Sequence, residues 1–121
     1  MSQIEQRAVG IVNDDQAVRD SLRFLLEVVG HPVETFASAA EFLAAGPRDL
    51  ACLILDHHMP QMTGLQLAEK LHADGSRIPI LLVTGLPSPA IVARAAQLDI
   101  RVLEKPPDED GVLDFINATR S

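Results

Sequence analysis

The sequence predicts an α/β fold, namely a doubly wound, five-stranded parallel sheet of the (βα)5 type. Two observations predict it. Five short apolar runs, most of them rich in Val, Ile and Leu, are spaced along the chain, and a segment with helical spacing follows each run. Strands that alternate with helices are typical of a parallel sheet covered on both faces. The 121 residues, 47% of them hydrophobic, suffice for one domain, which we expect to span residues 1–121.

The five predicted strands are nearly continuous apolar runs, as expected of strands that are buried on both faces of a sheet. They comprise residues 8–12, 32–36, 51–55, 78–83 and 100–103. Right-handed crossover connections between them then place the helices on the two faces of the sheet.

Apolar residues at helical spacing mark the five predicted helices. In the first helix they recur at i, i+4, i+7, i+8 and i+11 before Gly30 ends it. Ser38 and Glu41 form a capping-box pattern that opens a short second helix, which ends near Gly46. The residues at helical spacing in the first, third, fourth and fifth helices are, in that order, Val18, Leu22, Leu25, Leu26 and Val29; Leu65, Ala68 and Leu71; Ile91, Val92, Ala95 and Leu98; and Val112, Phe115, Ile116 and Thr119.

Composition excludes several classes of function. Acidic residues outnumber basic ones by 17 to 10, for a formal net charge of −7, and Tyr and Trp are absent. Without a basic run or an aromatic stacking surface, we expect no direct binding to nucleic acid. The single cysteine, Cys52, rules out an internal disulfide and fits a reducing compartment. No apolar stretch approaches the roughly 20 residues that cross a bilayer, and the N-terminus lacks a signal-peptide core, so we expect a cytoplasmic protein without membrane contact.

Polar residues follow the predicted strands at the points where these strands end. Asp14 and Asp15 come after the first strand, Asp56 after the third, Thr84 after the fourth and Lys105 after the fifth. In an open parallel sheet, ligands bind in the crevice beyond the carboxyl ends of the strands. We therefore expect these five side chains to meet at one edge of the sheet.

Carboxylates that share a pocket repel each other unless a proton or a cation intervenes. The candidate ligands are oxygen donors, and no Cys/His set has zinc-type spacing, so the pattern favours a hard cation such as Mg²⁺. Together with the hydroxyl of Thr84 and the ammonium group of Lys105, such a site has the parts that cradle a phosphoryl group. An aspartate in it can also act as the nucleophile and form an aspartyl phosphate.

Four motifs stand at the ends of the predicted strands. They are Ile11-Val12-Asn13-Asp14-Asp15, Leu53-Ile54-Leu55-Asp56 with His57-His58-Met59-Pro60 and Met62-Thr63-Gly64, Val83-Thr84-Gly85, and Glu104-Lys105-Pro106. In this order, they resemble the receiver domain of two-component response regulators, especially that of nitrogen-fixation-type regulators. The resemblance covers essentially all 121 residues. It implies the flavodoxin-like strand order 2-1-3-4-5, which is also found in chemotaxis regulators.

The resemblance implies a role for each matching residue. Asp56 matches the phosphoryl acceptor and a ligand of the cofactor Mg²⁺, and Asp14 matches the acidic residue that holds this ion directly. His58 would donate its backbone carbonyl to the metal. Thr84 matches the hydroxyl that moves onto the phosphoryl group, and Lys105 the lysine that pairs with it. In relatives, the peptide bond between this lysine and the next residue, here Pro106, is cis.

Two residues near the predicted site depart from the family pattern. The usual pair of acidic residues is here Asn13 and Asp14, so Asn13 would reach the metal through a water molecule and add no charge. Asp15 is then an extra carboxylate, although a register with Asp14 and Asp15 as the pair is an alternative. Val102 stands where the family has Tyr or Phe, so the coupling between the threonine and an aromatic ring is absent or altered.

The sequence thus predicts a receiver that is phosphorylated on Asp56 by a histidine kinase or phosphotransfer protein and depends on Mg²⁺. Phosphorylation would switch the surface of the fourth helix, fifth strand and fifth helix, which acts on an output domain or protein target. We expect a signalling switch rather than a metabolic enzyme. The alternative is a pseudo-receiver that signals by protein contact without phosphorylation, and a homodimer through the fourth and fifth helices stays open.

Overall fold

The computed structural model describes residues 7–46 and 49–120. Within these ranges, five strands and five helices alternate along the chain. No helix in this part of the chain has the length and apolar character that a membrane crossing requires. The elements are β1 (Val9–Val12), α1 (Gln16–Val28), β2 (Val33–Phe36), α2 (Ala39–Ala44), β3 (Cys52–Asp56), α3 (Gly64–Ala73), β4 (Ile80–Thr84), α4 (Pro89–Gln97), β5 (Arg101–Glu104) and α5 (Glu109–Arg120).

The five strands form one parallel sheet in the order β2-β1-β3-β4-β5, which confirms the predicted fold class and strand order. The sheet extends further toward its carboxyl edge than the apolar runs predicted. Asp56 pairs with Val83, and Thr84 pairs with Glu104, so these polar residues belong to the strands themselves. In these strands, backbone pairing continues for one residue beyond the end of the predicted apolar run.

A hydrophobic cluster packs on each face of the sheet. On one face, Ile11 and Ile54 pack against residues of α1 and α5 such as Leu26 and Phe115. On the opposite face, the strand residues that alternate with these pack against residues of α2 and α3. The three central strands, β1, β3 and β4, are buried along their whole length, so their last residues are held in place from both sides.

The apolar face predicted for α1 is wrong at its two ends. Leu26 is fully buried, but Val18 and Val29 are exposed. A helix of 13 residues is about 20 Å long, whereas the four residues of β1 span about 13 Å. The helix therefore extends beyond the strand that it covers. Val92, which was predicted on the apolar face of α4, is also exposed, whereas Ala95 is buried.

Side-chain caps define where the helices begin. Ser38 Oγ accepts a hydrogen bond from the Glu41 N–H, as predicted, but the Glu41 carboxylate accepts from the Ala37 N–H instead of returning to Ser38. A reciprocal capping box occurs at α3, where the side chains of Thr63 and Gln66 each accept from the other's backbone. The cap at Thr63 fixes the loop that runs from β3 into α3.

Candidate functional site

The carboxyl ends of β1, β3, β4 and β5 meet at one edge of the sheet. Val12 pairs with Leu55, so the next residue along β1, Asn13, lies beside Asp56. Both of these polar residues are buried. This edge is where the sequence predicts that the polar strand ends converge.

Asp56 and Lys105 form an ion pair between Oδ1 and Nζ across this edge. The two side chains differ in exposure, with 2% of the Asp56 side chain and 35% of the Lys105 side chain accessible to solvent. The main-chain N–H of Lys105 donates to the Thr84 carbonyl, which continues the β4–β5 ladder up to the lysine. Since a buried carboxylate is costly without compensation, the Lys105 ammonium group is the charge that allows Asp56 to lie inside the protein.

The Lys105 ammonium is the partner of Asp56 Oδ1, and no other group among the described residues donates a hydrogen bond to this oxygen. A carboxylate oxygen has several acceptor positions, so this buried atom retains capacity to bind a cation or to attack an electrophile. The Lys105–Pro106 peptide bond that follows the lysine is cis, the geometry that the resemblance implies.

Among the residues that the structure describes, the Thr84 hydroxyl has two partners, and neither of them is Asp56. Oγ1 lies 3.2 Å from Nε2 of His58, and it accepts a hydrogen bond of 3.2 Å from the N–H of Leu86. Thr84 is completely buried, whereas His58 is exposed. The contact with His58 joins residues 26 positions apart, and no local sequence pattern indicates it.

Asn13 and Asp15 are both engaged by the backbone at the start of α1. Asn13 Oδ1 accepts from the Asp15 N–H at 2.9 Å. The Asp15 carboxylate caps α1, since it accepts from the N–H groups of Ala17 and Val18. Asp14 is exposed between them. This division of roles favours the register that assigns Asn13 and Asp14 to the metal positions, because the helix already uses the Asp15 carboxylate.

The residues predicted to hold Mg²⁺ are Asp14 and Asp56 through their carboxylates, His58 through its main-chain carbonyl and Asn13 through a water molecule. Asn13 and Asp56 are buried, whereas Asp14 is exposed. Among the described residues, no three His, Cys, Asp or Glu side chains are grouped so that they could hold a metal. Mg²⁺ suits such a set, because it is typically held by one or two carboxylates and completes its coordination with water and phosphate oxygens.

The rings of the neighbouring His57 and His58 lie edge to face, with centroids 5.1 Å apart, and the His58 ring points to Thr84. Burial is the largest cause that lowers the pKa of His57, and the neighbouring His58 lowers it further. The neutral form of this partly buried side chain is therefore favoured.

Gly64, the first residue of α3, packs directly against the main-chain carbonyl of Asp56. Its N–H also donates to the His57 carbonyl at 3.1 Å. The start of α3 is thus fixed against the acceptor strand. The sequence motif that contains Gly64 supports the resemblance but by itself gives no reason for a glycine here.

Val102 is partly buried and packs against the hydrophobic cluster on the α2 and α3 face. A cleft of about 410 Å³ lies between the β4–α4 loop and the end of β5, and its lining includes Leu86 and Glu104 but not Val102. Leu86 is 77% exposed. A larger cleft of about 1020 Å³ lies at the opposite edge of the sheet, with Arg77 among its lining residues, and it includes none of the predicted site residues.

Comparison with known proteins places this architecture in a family. Transcriptional regulatory protein FixJ of Azorhizobium caulinodans is 38% identical over 117 residues, which are 95% of this chain and 56% of that protein. Response regulator protein TodT of Pseudomonas putida F1 is 37% identical over 112 residues, which are 89% of this chain and 48% of that protein. The chain thus spans about half the length of the curated relatives it matches.

Solved structures show the same fold. The crystal structure of FixJ-N superposes with a TM-score of 0.83 at 31% identity and covers 94% of this chain and 93% of that one. The chemotaxis protein CheY4 of Vibrio cholerae gives a TM-score of 0.84 at 26% identity, with 94% and 98% covered. The sequence model of the response regulator receiver domain matches residues 9–117. With the fold, the strand order and the family match in agreement, this chain belongs to the response regulator receiver domains of two-component systems.

Proposed function

We propose that this receiver accepts a phosphoryl group on Asp56 from a histidine kinase or phosphotransfer protein, in a reaction that depends on Mg²⁺. The observation that carries the proposal is the buried Asp56 carboxylate, whose Oδ1 has the Lys105 ammonium as its partner and accepts no hydrogen bond from any other described residue. Such an atom is positioned to act as a nucleophile at the ligand-binding edge of the sheet.

In the transfer, an Asp56 oxygen attacks the phosphorus atom of a phosphohistidine. The new O–P bond forms as the P–N bond breaks, and the electron pair of that bond remains on the imidazole of the donor. The phosphoryl group adds a charge of about −1.5 to −2, and the Lys105 ammonium, already in contact with Asp56, offsets part of it. Mg²⁺, when bound, supplies the remaining compensation for the charge on the phosphoryl oxygens.

The residues proposed to hold Mg²⁺ are Asp14 and Asp56 through their carboxylates, His58 through its main-chain carbonyl and Asn13 through a water molecule. The cap that Asp15 provides to α1 supports its exclusion from the set. Because Asn13 contributes no charge, the site carries one carboxylate fewer than the usual acidic pair would provide.

Phosphorylation is proposed to draw the Thr84 hydroxyl toward the phosphoryl group and to alter the surface of α4, β5 and α5. This surface presents Val92 of α4, and Leu86 lies in the loop that precedes α4. Both are large apolar side chains that are exposed in the structure. A downstream output domain or protein target would read the change. The switch would work without a swinging aromatic ring, since Val102 occupies the corresponding position.

The experiment that tests this proposal is incubation of the domain with acetyl phosphate and Mg²⁺, followed by intact-mass measurement. We expect one phosphate-sized adduct on the wild-type domain and none on Asp56→Asn or in excess chelator. An adduct that persists on Asp56→Asn would refute the assignment of the acceptor. Absence of any adduct on the wild-type domain would refute phosphorylation and favour a pseudo-receiver, which the departures at Asn13 and Val102 would then explain.

A further inference from the structure

A side chain that the proposed phosphoryl transfer does not use holds the Thr84 hydroxyl. Thr84 Oγ1 lies 3.2 Å from His58 Nε2 and accepts from the Leu86 N–H at 3.2 Å. In the part of the chain that the structure describes, these are the hydrogen bonds of this hydroxyl, and Asp56 takes part in neither. The hydroxyl therefore faces the loops rather than the acceptor.

The two partners of the hydroxyl belong to different loops. His58 lies between β3 and α3, and Leu86 lies between β4 and α4. A hydroxyl has one proton and two acceptor positions, so Thr84 can accept from Leu86 and also share a bond with His58 in either imidazole tautomer. Thr84 Oγ1, a buried atom, thus contacts both of the loops that border the proposed phosphorylation site.

We infer that His58 is a positioning residue for Thr84, whose imidazole retains the hydroxyl in its resting orientation until phosphorylation. This inference rests on the proposed function, because it concerns the same threonine. The proposed movement of Thr84 Oγ1 toward a phosphoryl group on Asp56 takes this oxygen away from His58 Nε2, so the contact between them must break. A net protein hydrogen bond corresponds to roughly a two- to ten-fold change in an equilibrium constant, so the contact opposes activation by about that factor.

Two matched variants test the contact in the resting protein. The side-chain amide of Gln lies about as far from Cβ as Nε2 of His, whereas the amide of Asn corresponds to Nδ1 and falls short. We expect His58→Gln to preserve the Thr84 side-chain rotamer. In His58→Asn, the preference for that rotamer should fall by roughly two- to ten-fold. The measurement is the set of three-bond NMR couplings to the Thr84 methyl group, without metal or phosphoryl donor.

A second measurement asks whether the effect passes through Thr84. In the presence of Mg²⁺, His58→Asn should lower the beryllofluoride concentration for half-saturation by roughly two- to ten-fold, and His58→Gln should not. In a Thr84→Val background the same His58→Asn change should have no effect. An equal effect in that background, or an unchanged Thr84 rotamer in His58→Asn, would overturn the inference. Since the couplings are measured on the unphosphorylated protein, they show whether His58 positions Thr84 even if Asp56 accepts no phosphoryl group.

Discussion

Gly64 lies against the main-chain carbonyl of Asp56, so closely that a β-carbon built on Gly64 would fall inside 3.0 Å of the carbonyl oxygen and carbon. The atoms in the way belong mainly to the backbone of the acceptor strand, which cannot move aside as a flexible side chain can. The first turn of α3 and the end of β3 are therefore packed as one unit. Any residue larger than glycine must displace the strand that carries the proposed phosphoryl acceptor.

Gly64→Ala should destabilise the domain, although alanine is the better helix former. The gain in helix propensity is at most about 1 kcal/mol, whereas forcing an extra carbon into a packed site costs about 1–3 kcal/mol. Urea unfolding followed by circular dichroism measures the net loss. Gly85→Ala is the control, because a β-carbon at Gly85 meets nothing within 4 Å, and its stability should stay unchanged or rise slightly. Equal stability of the two variants would contradict the packing argument.

Asp56→Asn and Lys105→Met should change stability in opposite directions. The Asp56 side chain is almost completely buried, whereas about a third of the Lys105 side chain is exposed. Removing the lysine leaves a buried carboxylate unpaired, for which we expect a loss of about 1–3 kcal/mol. Neutralising the aspartate removes that buried charge, and the lysine regains water, so stability should rise. Urea unfolding without metal at neutral pH tests this pair, and two losses of similar size would show that the ion pair stabilises the fold.

The sequence was most informative where burial is complete. β1, β3 and β4 are buried along their length, so an unbroken apolar run predicts each of them. The meeting of Asp56 with Lys105 was predictable because parallel strands bring their carboxyl ends to one edge of the sheet. Neither prediction requires knowledge of any loop.

The remaining contacts depend on loop conformation, which periodicity does not describe. The contact between His58 and Thr84 joins the β3–α3 loop to the end of β4 across 26 residues, and Gly64 is required only because α3 starts against β3. The exposure of Val18 at the start of α1 follows from the difference in length between α1 and β1. Hydrophobic spacing reports which face of a helix is apolar but not how far the sheet extends beneath it.

Asn13→Asp should tighten Mg²⁺ binding, because it adds a carboxylate next to Asp56 in the sheet. We expect an affinity roughly ten-fold higher, equivalent to about 1.4 kcal/mol. Isothermal titration calorimetry is suitable, because the chain contains neither Trp nor Tyr for a fluorescence assay.

Asp15→Asn is the matched control for this Mg²⁺ titration. Asparagine also caps helices well, so the variant removes one charge but keeps the start of α1. Its Mg²⁺ affinity should stay within about two-fold of the wild type, whereas Asp14→Asn should weaken binding by roughly ten-fold or more. If Asp15→Asn weakened binding as much as Asp14→Asn, the register with Asp14 and Asp15 as the metal pair would be correct.

Val102 should keep a single side-chain rotamer when the domain is activated. A β-branched side chain has restricted χ1 freedom, and Val102 packs against the hydrophobic cluster on the α2 and α3 face. The responses to beryllofluoride and Mg²⁺ should instead be concentrated at Thr84, at Leu86 in the β4–α4 loop and at Lys105.

Methyl NMR with and without beryllofluoride compares the χ1 populations of Val102 with those of Val12, which is fully buried in β1 and serves as the control. A change of rotamer at Val102 but not at Val12 would show that valine takes over the moving role of the aromatic ring. Unchanged rotamers at both, together with large shifts at Leu86, would locate the switch in the loop that Thr84 holds.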